Sequence, residues 1–96
     1  MNELELVKLK LLSHSKRMLN MASQSEWQTF SELDSMWKVL LKDADEKFGS
    51  QLDSIGQALI QDNLEIQKII KLEQETISQE IHKNSKSLSS IKQYLK

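Results

Sequence analysis

The chain contains no cysteine, no proline, two glycines and five aromatic residues among its 96. Each shortage excludes something. Without cysteine there is neither a disulfide framework nor a thiolate metal site, and the lack of disulfides fits a reducing compartment. Without proline, and with glycine only at Gly49 and Gly56, little interrupts stretches rich in Leu, Lys, Glu and Gln. Such a composition favours long helices over any sheet. No apolar run approaches the roughly 18 residues needed to cross a bilayer. Charges are threaded through the N-terminal "MNELELVKLKLL", which argues against a signal peptide. A cytoplasmic protein without membrane insertion is expected. There is no Gly-rich phosphate loop, nucleophile elbow or His-Glu-x-x-His pattern, and no base constellation accompanies the serines. Catalytic residues, cofactors and metals are all expected to be absent.

What is present points to one helical domain over residues 1–96. Apolar residues make up 39%, enough to disfavour disorder, and the length suits a single small core. The net charge of −1 conceals blocks. Residues 1–22 sum to +2, 23–49 to −3, 50–81 to −4 and 82–96 to +4. Four lysines (Lys83, Lys86, Lys92, Lys96) without arginine or interleaved aromatics make a thin nucleic-acid signature, so no nucleic-acid partner is expected.

Apolar spacing defines the elements. Helix 1, about residues 2–22, opens at Asn2 as N-cap and carries Leu4, Val7, Leu11, Met18 and Ala22 at steps of three and four, with Ser15 on the same line. Helix 2, about 25–48, is expected to be capped by Ser23 or Ser25, each with Glu26 or Gln28 three residues on. Its stripe runs Phe30, Leu33, Trp37, Leu40, Leu41, Ala44 and Phe48, with Trp27 at the edge. Gly49 stands where a left-handed residue would end it. Helix 3, about 50–83, carries Leu52, Ile55, Leu59, Ile66, Ile70, Ile77 and Ile81, and the line goes on through Leu88, Ile91 and Leu95. It either continues or breaks near Asn84 into a short fourth helix at about 86–95. The fold class is therefore all-α: an antiparallel three-helix bundle with a long third helix. That helix overhangs its neighbours, and covering its stripe calls for a second copy (a homodimer), a fold-back or another protein.

Within "ALIQDNLEIQKII", Asn63 falls on the main stripe and Asp62 on its shoulder, on the side of Ile69. Asn63 is expected to face the core and to need a partner such as Ser15 or a Trp indole N–H, fixing register as buried Asn does in long bundles. A carboxylate metal site in a bundle wants Glu-x-x-His spacing; the residue three before His82 is Gln79, and His14 lacks the motif too. The more informative positions lie off the stripe. Ile60, Leu64 and Leu72 point roughly 100° to 140° from the core line, with Gln57, Gln61 and Lys68 among them. They form an amphipathic strip suited to a partner helix, although core packing explains Ile60 equally well. Met36 and Val39 lie off the helix 2 stripe in the same way and are expected to form the other wall of that groove.

Two segments carry a family resemblance: "MLNMASQSEWQTFSELD" (Met18 to Asp34) and "ALIQDNLEIQKII" (Ala58 to Ile70). Together they resemble FliT, the bacterial flagellar export chaperone, with helix order and spacing alike over nearly the whole chain. The resemblance implies a small antiparallel bundle that binds the C-terminal helical region of the filament-cap protein FliD, keeps it from assembling prematurely, and passes it to the type III export gate and its export ATPase complex. Some enteric members also bind the flagellar master regulator and cover the partner surface with a C-terminal helix. It also places partner contacts on the outer face of the long helix, at Gln57, Gln61, Leu64 and Lys68. The departures are a shorter chain and a loop compressed around Gly49, and "NSKSLSSIKQYLK" leaves autoinhibition and regulator binding open. Two other readings stand beside the chaperone: a structural, dimeric coiled-coil adaptor, and a protein antagonist of a transcriptional regulator.

Overall fold

In a computed structural model the described residues are 1–83, with side chains described to Ser78. Their regular elements are all helices: α1 (Glu3–Ser23), α2 (Trp27–Phe48), a one-turn 3-10 helix (Gly49–Leu52) and α3 (Asp53–Lys83). The expected fourth helix at 86–95 lies outside the described residues.

Helix α1 starts as its sequence dictates. The Asn2 side chain accepts from the Glu5 N–H at 2.8 Å, and Glu3 and Glu5 lie in the positively polarised first turn. The turn after it is a correction. Ser25 does not cap α2; it ends α1. Its φ is +59°, its N–H donates to the Ala22 carbonyl (3.1 Å), and the Glu26 N–H donates to the Met21 carbonyl (2.9 Å). This pair of reversed bonds satisfies carbonyls that a helix C-terminus leaves orphaned, an arrangement that usually recruits glycine. Ser23 turns back on its own helix and donates to Leu19 O at 2.8 Å. The N-cap of α2 is Glu26, which makes no side-chain cap bond. At the other end of α2, Gly49 has φ 51° and ψ −123°, a region that side chains strongly disfavour. It lets the chain enter the 3-10 turn and reverse into α3.

The core forms two clusters along one seam. Leu11, Ala44 and Ile55 are buried together near the 3-10 turn, and Met18, Ala22, Leu33 and Ile66 near the α1–α2 turn. Residue numbers rise together between α1 and α3 and oppositely between α1 and α2, and an ion pair from Lys47 to Glu3 closes one end. Helix α1 approaches both others closely, whereas α2 and α3 meet mainly through side chains over it. The central helix, packed against both others, is α1 rather than the long α3. His14 strengthens the α1–α2 seam: its Nε2 donates to Leu33 O at 2.7 Å, and its ring stacks on Trp37, centroids 5.6 Å apart.

The central place of α1 also overturns the reading of Asp62 and Asn63. Asp62 is the buried one, 1% exposed, accepting from Ser15 Oγ at 2.8 Å and from Lys16 Nζ at 2.5 Å. Asn63 is exposed. Because α3 leans on α1 and stands off from α2, its contact line shifts toward the side of Ile69. The expected shoulder becomes the buried face, and the expected centre turns to the gap. Ser15 does meet a polar partner across the seam, but one residue earlier than expected.

Candidate partner-binding site

The gap between α2 and α3 is a groove. Toward the 3-10 turn it opens into a cavity of about 580 Å³. The Leu11 side chain of α1 forms its floor; Lys38, Leu41, Lys42 and Asp45 of α2 form one wall, and Leu52, Asp53, Gly56 and Leu59 of α3 the other. Toward the opposite end the same cleft narrows to about 190 Å³, between Phe30, Asp34 and Trp37 on α2 and Asn63, Ile66, Gln67 and Ile70 on α3, over Ser15 and Met18. Leu41, on the expected core stripe of α2, is thus 38% exposed and lines the groove. An elongated, mostly apolar trough with charges on its rim has the form that takes one amphipathic helix.

The residues singled out from sequence lie elsewhere. Gln57, Ile60, Gln61, Leu64, Lys68 and Leu72 are all exposed on the outer face of α3, with Leu64 47% and Leu72 62% accessible. Met36 and Val39 are exposed on α2, where with Ser35 and Leu40 they line a separate open hollow of about 370 Å³. None of the six α3 residues lines that hollow, so it is not a second wall facing them. Past Ile70 the helix leaves its neighbours behind, and Leu72 and Ile77 stand exposed on it.

A family model described as flagellar protein FliT matches residues 8–96. The chain belongs to the FliT family. No curated protein and no solved structure matches it. FliT is a family of flagellar export chaperones. Among the described residues, no three His, Asp or Glu side chains come together to hold a metal. No described helix is long and apolar enough to cross a membrane.

In this FliT-family chain, the polar lock beneath the groove is electrostatically simple. The hydrogen bond from Lys16 to Asp62 holds the ammonium above its ordinary pKa of 10.5; desolvation opposes it, and the Coulombic pull of Asp62 and Glu65 adds to it. No buried side-chain nitrogen or oxygen among the described residues lacks a partner. The groove itself escaped the sequence reading, because spacing shows which residues share a stripe and not how far apart two helices stand. One signal was present: Gly56, inside a helix, without an evident reason to be there.

Proposed function

We propose that the chain is a cytosolic chaperone of flagellar type III export that takes the C-terminal helical region of the filament-cap protein into the α2–α3 groove and so prevents its premature assembly. The frame for this is an antiparallel three-helix bundle, a single domain over residues 1–96. The groove carries the proposal: α1 packs closely against both α2 and α3 and leaves between them an apolar trough as long as several helical turns. An aggregation-prone amphipathic helix laid there exchanges its self-association surface for Leu41, Leu52 and Leu59. The outer strip of Gln57, Ile60, Gln61, Leu64, Lys68 and Leu72, and the hollow at Met36 and Val39, then serve as second surfaces. These would face the export gate, its ATPase complex or a flagellar master regulator.

Calorimetric titration of the purified full chain with the cap protein's C-terminal helical region tests this. Leu41→Glu, at an exposed groove position, is expected to weaken binding by roughly two orders of magnitude, as loss of a central apolar anchor does. The double change Leu64→Asp with Leu72→Asp should leave that affinity within about threefold. Absence of binding by the wild type overturns the client assignment; loss of binding only in the Leu64/Leu72 pair moves the client to the outer face.

The exposed Leu72 and Ile77 favour one second reading, a dimeric coiled-coil adaptor built on the overhang of α3. Light scattering of the wild type and of Leu72→Asp with Ile77→Asp decides it: a mass that halves in the variant establishes the dimer.

A further inference from the structure

Gly56 lies in the first turns of a 31-residue helix, where glycine is the least favourable residue after proline. Nothing among the described residues asks for it. Its backbone is ordinarily helical, since positive φ among the described residues occurs only at Ser25 and Gly49. A side chain there would not collide either: a Cβ built on Gly56 meets no heavy atom within 4 Å. Yet Gly56 is half-buried and lines the 580 Å³ cavity between Leu52 and Leu59. The space a side chain would fill is groove space, which the described residues leave unused. Bare backbone on a groove wall is what allows close approach by another chain, because the distance between packed helices is set by the side chains at their contact.

The rim supplies the second observation. Lys38 and Lys42 stand on the α2 wall. Lys42 makes no ion pair among the described residues, and Lys38 has only a 3.9 Å contact with Asp34, both well exposed. Asp45 and Asp53 stand at the turn end of the same cavity. An occupant therefore presents acidic residues beside Lys38 and Lys42, midway along α2, and positive charge toward Asp45 and Asp53 at the turn and toward Asp34 at the other end. The chain's own residues 84–96 contain three lysines and no acidic residue, so they supply no counter-charge to Lys38 and Lys42.

Resting on the client-in-groove reading, we propose that Gly56 is the point of closest approach for a docked amphipathic helix whose acidic flank lies along Lys38 and Lys42. The helix seats its apolar stripe on Leu41, Leu52 and Leu59, above the floor at Leu11, and one of its larger aliphatic side chains occupies the space over Gly56. Depth of seating is set by Gly56, and the preference for acidic clients by the two lysines.

The test uses the full chain and two synthetic helical peptides of about 20 residues, long enough to hold a helix. They share one leucine stripe and carry glutamates on the flank in one peptide and lysines in the other. By calorimetry the acidic peptide is expected to bind the wild type at least about tenfold more tightly than the basic one. Gly56→Ala should raise the melting temperature by roughly 4–8 °C while weakening the acidic peptide about tenfold. Lys42→Glu together with Lys38→Glu should reverse the preference. A Gly56→Ala chain that is more stable and binds unchanged overturns the inference. So does failure of the acidic peptide to bind, which assigns the groove to a second copy if the wild type scatters as a dimer and to residues 84–96 if it is monomeric. The cap protein's helical region, titrated in parallel, separates this inference from the reading beneath it. If that region binds indifferently to Gly56 and the lysines, the chaperone reading stands and this inference falls. Acidic-peptide binding that depends on both, with no binding of the cap region, does the reverse.

Discussion

Asp62 shows how much one buried carboxylate can organise. Both of its oxygens are engaged by α1, by the Ser15 hydroxyl and the Lys16 ammonium, so a slip of α3 by one residue would strand a buried charge. Asp62→Ala is expected to cost about 1–3 kcal/mol, the penalty for leaving a buried hydroxyl unsatisfied and a small cavity behind. Chemical denaturation reads it out. Ser15→Ala combined with Asp62→Ala should cost less than the two single changes added together, because the pair shares one interaction. Asn63→Ala, at an exposed position, should stay within about 0.5 kcal/mol, the opposite of what the stripe suggests. The pH dependence follows from Lys16. Its pKa is raised on folding, so its contribution is complete below the ordinary 10.5 and is lost as pH climbs through the higher folded value. Melting temperatures of the wild type and Lys16→Met should therefore differ by the same amount from pH 6 to pH 9 and converge only above about 10.5.

At the scale of elements, two reversals set the geometry, and only one was legible. Gly49 is recognisable because glycine after a long apolar stripe marks a helix end. Its φ of 51° makes Gly49→Ala destabilising, by about 1–2 kcal/mol. Ser25 has the pattern of a helix start, a serine with a glutamine three residues on, yet it terminates the helix before it. Its positive φ predicts that Ser25→Gly stabilises the fold by several tenths to about 1 kcal/mol, visible as a higher melting temperature. Along α3, one stripe has two fates. Ile66 is buried in the seam, so Ile66→Ala should cost about 2–5 kcal/mol. Ile77 lies on the same line but beyond the end of α1, half exposed, and Ile77→Ala should cost under about 1 kcal/mol. Periodicity is a property of one helix; burial requires a neighbour of sufficient length.

For the whole molecule, the decisive quantity is the separation of α2 from α3. Had α3 been the central helix, its outer strip at Ile60, Leu64 and Leu72 would have been the natural docking face. With α1 central, the gap becomes a groove. Composition and apolar spacing by themselves determined that the protein is helical and where its long apolar stripes lie, because helix propensity and the 3.6-residue repeat are local. They likewise settled that no cysteine chemistry is available. Which helix is central, that Asp62 rather than Asn63 is buried, and that Leu41 and Gly56 line a trough were decided only by the tertiary structure. Those facts depend on how three stripes are rotated and spaced against one another, and each stripe alone is compatible with several such arrangements.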